Sequence, residues 1–502
     1  MEKKMKILMI YPDCPETFWS FKYALKFISK KATQPPLGLL TVASMLPGEW
    51  EKKMIHMKVT PVKEKDIEWA DLVFISAMSI QKASAIKVIN MCRKKGVKIV
   101  AGGPLFTTRY QEFDDVDYLV LNEAEITLPP FLEDLKNGCA KHIYTSKEYA
   151  DITKTPPPLW KLANMKKYAT MDIQYSRGCP FNCDFCNISV LYGNKVRTKT
   201  KNQVLTELES LYFQGWRGGV FFVDDNFIGN KRKLKTEILP ALIEWMESKN
   251  YPFTFKTEVS INLSDDAELM RLMIEAGFDS VFIGIETPHE ESLAECNKIQ
   301  NKNRNLEASV KRLQNAGFQV DAGFIVGFDN DPPSIFERLS SFIQESGIVT
   351  AMVGLLNAPR GTNLSRRLAK EGRLLDDITG DNTDFSINFI PKMDIDVLMN
   401  GYKKVLQKIY SPANYYERVK EFIKDYIPIS KKAFSVNFTD IKALLKSIIR
   451  LGIIGRERVH YWKLFFWTIF NRPRLFPIVI TYAIYGFHFR KIFKSCFSSK
   501  VS

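Results

Sequence analysis

The stretch "SRGCPFNCDFCNI", residues 176 to 188, places Cys179, Cys183 and Cys186 within eight positions, bracketed by Arg, Gly, Pro and aromatic side chains. Three thiolates without a fourth narrow the chemistry. A structural zinc site takes four ligands, usually a C-x-x-C with a second pair further on. Neither a second pair nor an H-x-x-x-H follows here. A disulfide framework uses an even number of cysteines and suits small secreted chains. Three thiolates instead suit three irons of a 4Fe–4S cluster, leaving the fourth iron open to a small molecule.

The spacing C-x-x-x-C-x-x-C, with Phe185 just before the third cysteine, closely resembles the signature of the radical S-adenosylmethionine family. The resemblance implies that the open iron chelates the amino and carboxylate groups of S-adenosylmethionine. It also implies that an electron from the cluster cleaves the sulfonium to a 5′-deoxyadenosyl radical. The competing reading is three buried, inert cysteines that happen to be close, and a short motif alone does not exclude it.

The chain has 502 residues, 45% hydrophobic and 25% charged, a globular composition with length for roughly two to four domains. "MEKKMKILMIYPD" lacks the apolar run and cleavage site of a signal peptide. Cys14, Cys92, Cys139, Cys296 and Cys496 are scattered and read as small core hydrophobes. A reducing cytoplasm is the expected setting. Of the net charge of +15, residues 440–502 supply most, with 12 Lys and Arg against 2 Asp and Glu. This is a basic tail on a near-neutral body.

Within residues 1–145, "KILMIY" (6–11), "LVFISAM" (72–78), "VKIVAGG" (97–103) and "DYLVLNE" (117–123) are short branched apolar runs separated by helical stretches. That alternation predicts an α/β, Rossmann-like domain with a doubly wound parallel sheet. Its ligands belong beyond the strand C-termini, where Ser76, Gly102 and Gly103 lie. These features resemble the cobalamin-binding domain that precedes many radical S-adenosylmethionine domains, with Ser76 and the Gly pair flanking the nucleotide tail. The D-x-H-x-x-G motif that gives many relatives an axial histidine is absent. His56 reads as a surface residue, so cobalamin is expected without a histidine on its lower face. A Rossmann-like domain that has lost this cofactor, or holds another, is the alternative.

Residues 165–375 continue the alternation through "MDIQYS" (171–176), "GVFFVDD" (219–225), "FTFKTEVS" (253–260), "DSVFIGIE" (279–286), "QVDAGFIVGF" (319–328) and "TAMVGLL" (350–356). Six strands with helices between them predict a partial (βα)6 barrel, whose chemistry collects at the strand C-termini. Asp224, Asp225, Glu258, Ser260 and Glu286 fall there. In the family pattern an acidic cluster after the second strand grips the S-adenosylmethionine ammonium, and "DDNF" stands in that place. Gly323 and Gly327 in "GFIVGFD" resemble the element that packs under adenine and ribose. Arg177, Lys195 and Arg197 either orient the carboxylate or form a solvated basic face.

Residues 376–502 read as a helical, basic domain. "DIKALLKSIIR" (440–450) sets Ile441, Leu444, Leu445, Ile448 and Ile449 on one helical stripe. The aromatic segment after it has a longest uncharged run of 15 residues, Leu475 to Phe489, short for a span of about 20. Basic, aromatic segments of this kind lie in the lipid interface, and the alternative is a core-forming helical subdomain with a solvated rim. Nucleic acid is not expected.

"YPDCPETFWSFKYALKFISKKATQPPLGLLTVASMLP" (11–47) and "NAPRGTNLSRRLAKEGRLL" (357–375) closely resemble the family branch of the hopanoid C-2 methylases and the bacteriochlorophyll side-chain methyltransferases. The resemblance implies a cobalamin-dependent methyltransferase acting on an unactivated carbon of a large apolar substrate. It also implies a reductant such as flavodoxin or ferredoxin, and contact with the membrane surface through the C-terminal region. A radical cyclase and a membrane-bound iron–sulfur sensor are the other readings.

Overall fold

The computed structural model describes residues 4–375, 378–381, 384–428 and 438–498. The expected apolar runs of the N-terminal domain form β1 (Lys6–Tyr11), β3 (Leu72–Ser76), β4 (Lys98–Gly102) and β5 (Tyr118–Val120). Two further strands, β2 (Glu51–His56) and β6 (Ile143–Tyr144), join them in one parallel sheet of order β2-β1-β3-β4-β5-β6. The sheet is buried on both faces. Leu8, Ile10, Val73, Ile75 and Ile99 pack with the helix Lys82–Lys94. Ile7, Met9, Phe74 and Val100 pack on the other side with the helices Leu37–Met45 and Ala124–Lys136. The strand order reverses beside β1, so the crevice between the C-termini of β1 and β3 is the topological switch point.

The glycines after β4 serve the sheet first. A Cβ on Gly102 would come within 2.6 Å of the Val120 carbonyl oxygen, and one on Gly103 (φ +89°) within 2.8 Å of Ser76 Oγ. Small residues here let three strand ends converge.

The second sheet contains β7 (Met171–Ile173), β10 (Gly219–Phe222), β11 (Thr254–Val259), β12 (Phe278–Glu286), β13 (Gln319–Val326) and β14 (Ala351–Leu355). All six are parallel and run in chain order from β7 to β14, which are not paired with each other, so the barrel is open on one side. Each coincides with one of the six expected runs. Between β7 and β10, β8 (Ser176–Arg177) and β9 (Arg197–Thr198) make a short antiparallel hairpin that carries the cysteine loop. β11 alternates strictly: Phe255, Thr257 and Val259 are buried outward while Lys256 and Glu258 share the inner face. The register places Phe221, Ser280 and Phe282 on that same inner face.

Within the C-terminal region, the last helix takes the core-forming one of the two expected roles. Tyr482, Phe489 and Phe493 of the helix Phe476–Ser498 belong to the same hydrophobic core as the barrel strands. Phe489 stacks on Phe18 at 4.2 Å, Tyr482 Oη donates to Gln319 Oε1 at 3.1 Å, and Trp19 meets Phe282 edge-on. The aromatic density of this last helix is core, not lipid-facing belt. Among the described residues, no helix is long and apolar enough to cross a membrane.

Candidate active site

Gly178 opens the cysteine loop at φ +91°, where a Cβ would lie 2.9 Å from the Lys195 carbonyl oxygen. Only glycine takes that conformation cheaply. The loop is then pinned from three sides. Gly178 N donates to Asp225 Oδ2 at 2.9 Å, Asp184 N donates to the Cys296 carbonyl at 3.0 Å, and Leu364 N donates to the Asp184 carbonyl at 2.9 Å. Cys179, Cys183 and Cys186 are free thiols, half-buried to buried. Burial pushes all three above the usual thiol range, Cys186 up to about 12, and Lys298 opposes the rise in each. Lys298 is itself paired with Glu286 at 2.6 Å, and Gln300 Nε2 reaches Cys183 Sγ at 3.7 Å. Neither Lys298 nor Gln300 was readable in "CNKIQN"; no spacing there separates a site residue from a turn.

The acidic residues divide by task. Asp224 is buried and accepts from the backbone amides of Tyr175, at 3.2 Å, and Ser176. It therefore serves the entry to the cysteine loop, and burial pushes its carboxyl up to about 7. Glu258 has no hydrogen bond within the described residues; burial, and then the neighbouring Asp225, push it to about 7. Asp225 and Glu258 are thus the carboxylates left facing the barrel mouth. Ser260 is engaged with Asn226 and Asn262. Glu286 ends β12 in the left-handed region (φ 65°) with its carboxylate on Lys298. Gly327 (φ +104°) makes the turn after β13, its N–H donating to Asp331 Oδ2 at 2.9 Å, while a Cβ on Gly323 would touch the Phe282 ring at 3.0 Å. Both fit an element that needs close backbone approach.

Two basic residues turn out elsewhere than expected. Arg177 donates to Glu123 at 2.6 Å and Glu125 at 3.0 Å, and Arg197 donates to Glu123 at 2.8 Å. Both acids follow β5, so the hairpin carrying the cysteines is clamped to the C-terminal edge of the first sheet. Neither guanidinium is directed at a ligand carboxylate. Sequence reading missed Glu123 and Glu125 because "NEAEITL" reads as the acidic first turn of a helix, which it also is.

At the switch point, Tyr11 ends β1 and meets His56 edge-on at 5.3 Å. His56 is buried, not at the surface, with Nδ1 3.3 Å from Tyr168 Oη; burial lowers its pKa to about 4 and keeps it neutral. Across the junction Asp172 is buried with Oδ1 unpartnered, and burial raises its carboxyl well above the usual range.

Comparison with known proteins agrees with this layout. Residues 28–132 match the B12 binding domain, 173–343 the Radical SAM superfamily, and 362–501 a domain of unknown function. An uncharacterized methyltransferase of Synechocystis sp. is 42% identical over 490 residues, 97% of this chain and 91% of that protein. The hopanoid C-2 methylase of Rhodopseudomonas palustris is 32% identical over 470 residues, 91% of this chain and 88% of that protein. The chain belongs to the cobalamin-binding radical S-adenosylmethionine methyltransferase family. The fold of the cobalamin-dependent S-adenosylmethionine radical enzyme OxsB, solved with aqua-cobalamin, covers 99% of this chain and 84% of that one at a TM-score of 0.64 and 14% identity.

As a member of this family the protein is an enzyme that works with a 4Fe–4S cluster, S-adenosylmethionine and cobalamin. The residues fit these groups. One loop offers three soft thiols, enough for three irons of a cluster whose fourth stays open, and the carboxylate among them, Asp184, accepts from Asn363 Nδ2 at 3.1 Å. Asp225, and Glu258 with no hydrogen bond among the described residues, would supply the acceptors an ammonium needs. At the C-terminal end of the first sheet, Ser76 and Gly103 would border the corrinoid tail.

Proposed function

We propose that this enzyme transfers a methyl group to an unactivated carbon of a large apolar substrate, a hopanoid-like lipid or a tetrapyrrole, at the inner surface of a membrane. The observation that carries the reading is the lining of the barrel. Its inner face presents Phe221, Phe282, Ile325 and Met352, all partly accessible, above a Lys256–Asp321 ion pair. Such a wall binds hydrocarbon by area, and its one cation, Lys256, is spent on Asp321 among the described residues. The full-length similarity to a hopanoid C-2 methylase supports the lipid class. When bound, the cluster and cobalamin supply the radical initiation and the methyl carrier. The chain's own part is positional. Asp224 and Asp225 fix the cysteine loop by its backbone, Glu258 and Asp225 receive the ammonium, and Glu123 holds the loop against the corrinoid sheet.

The test is anaerobic turnover of the reconstituted enzyme with an apolar extract. Methylation yields 5′-deoxyadenosine and S-adenosylhomocysteine in step with a methylated product. 5′-Deoxyadenosine alone, with a product lacking the methyl group, would replace this reading by the radical cyclase.

A further inference from the structure

The aromatic helix Phe476–Ser498 is buried, yet among the described residues a second apolar surface stays largely exposed. The helix Phe438–Ser447, its continuation Ile448–Ile453 and the helix Arg458–Asn471 form a helical hairpin, joined by Trp462 Nε1 donating to the Gly452 carbonyl at 2.9 Å. Its inner side is spent on the core through Ala443, Leu451, Tyr461 and Leu464. Its outer side exposes Leu445 (56%), Ile449 (53%), Ile454 (63%), Val459 (56%), Phe466 (50%) and Phe470 (80%). Soluble monomers rarely leave so many large apolar side chains in one stretch.

The charge on and just beyond this hairpin is predominantly positive. Lys442, Arg456, Arg458, Lys463 and Arg474 are exposed and have no ion-pair partner among the described residues. Of the acids within the hairpin, Glu457 is buried and paired with Arg490 at 2.9 Å, leaving Asp440 as the exposed one. Apolar side chains interspersed with uncompensated cations match the boundary between acyl chains and anionic headgroups. A protein partner would need a complementary acidic rim around the same greasy centre, whereas an anionic bilayer supplies both without further fitting.

We infer that the hairpin 438–471 is the docking surface for an anionic lipid bilayer, seating the enzyme on the membrane by Leu445, Ile449, Val459 and Phe470 with its cations at the headgroups. The inference deepens the proposed apolar-substrate reading by naming the surface through which that substrate is met.

The test is flotation of the full-length, cluster-loaded enzyme with vesicles of phosphatidylglycerol or of phosphatidylcholine. Wild type should float with the anionic vesicles, at least tenfold less with the neutral ones, and detach as salt rises. Leu445→Glu with Phe470→Glu, and separately Arg456→Gln with Arg458→Gln and Lys463→Gln, should each cut flotation at least tenfold. Both should still form 5′-deoxyadenosine at the wild-type rate in detergent-free buffer, which also reports that they fold. The polar-for-cation triple variant touches no core position and keeps the test valid if the Glu pair fails to fold. Wild type that ignores anionic vesicles at low salt, or triple-variant flotation equal to wild type, overturns the inference. So does a dimer in sedimentation that Leu445→Glu dissolves, since a second copy would then be the occupant. Flotation that persists in Cys179→Ala while turnover is lost separates this inference from the catalytic reading.

Discussion

Replacing Glu123 by Ala should loosen the joint between the two cofactor domains more than any other single truncation at their boundary. Glu123 is 5% exposed, and its carboxylate accepts from Arg177 at 2.6 Å, Arg197 at 2.8 Å and the Ala150 amide at 2.7 Å. Removing one partner of a buried ion pair costs about 3–5 kcal/mol, because the remaining charge stays buried and uncompensated. Glu125 still holds Arg177 at 3.0 Å, so the loss falls mainly on Arg197. The expected cost is therefore at the lower end, about 3 kcal/mol, or roughly a hundredfold in the folding equilibrium. Urea unfolding followed by tryptophan fluorescence reads it as a lowered midpoint, and iron content after reconstitution should fall with it. Glu123→Gln keeps hydrogen-bond acceptance and should lie between wild type and Ala. The deficit should persist in high salt, since buried pairs are poorly screened. An Ala variant with wild-type midpoint and wild-type iron content would show that the clamp is ornamental.

Other outcomes follow from the same geometry. Changing Cys179, Cys183 and Cys186 together to Ala should abolish iron binding and the broad visible absorbance, while Cys92→Ala preserves both. Glu258→Gln should weaken S-adenosylmethionine by roughly 10- to 150-fold, the worth of a charge-assisted contact of about 1.5–3 kcal/mol; isothermal titration with the cluster in place measures it. Since the Glu258 carboxyl is raised to about 7, the wild-type affinity should rise as pH climbs through that value. The same upward shift makes this group's contribution to stability fade over the interval from its ordinary 4.5 to about 7. Glu258→Gln should flatten both dependences. Hydroxocobalamin bound to the full chain should show no histidine on cobalt, and a histidine signal that disappears in His56→Ala would refute this.

The six barrel strands were legible because their short apolar or alternating runs recur between helical stretches, and the cysteine spacing stood out by itself. β2 was not, since Glu51, Lys52 and Lys53 make an edge strand look like a solvated loop; charges on an edge are a common guard against misassembly. The two roles of the basic tail were also hidden. Helical periodicity groups Ile441, Leu444, Leu445, Ile448 and Ile449 on one stripe, but packing turns Leu444 toward the core and leaves Ile441, Leu445 and Ile449 outside. Which half of an amphipathic tail is core depends on Phe18, Trp19 and Phe21, more than four hundred residues away. Arg177 and His56 were misplaced for the same reason, their partners Glu123 and Tyr168 lying on another domain's element or beyond a linker.

The central claim, a cobalamin-dependent radical methylation, is tested most directly by one labelling measurement. The reconstituted enzyme is given S-adenosylmethionine with a deuterated methyl group, a reductant and the apolar extract of cells lacking its gene, and the extract is read by mass spectrometry. The account predicts a deuterated methyl group on an apolar product, formed only when cobalamin is added and absent from the Cys179→Ala, Cys183→Ala, Cys186→Ala triple variant. A labelled product that forms equally well without cobalamin, or in that variant, would contradict it.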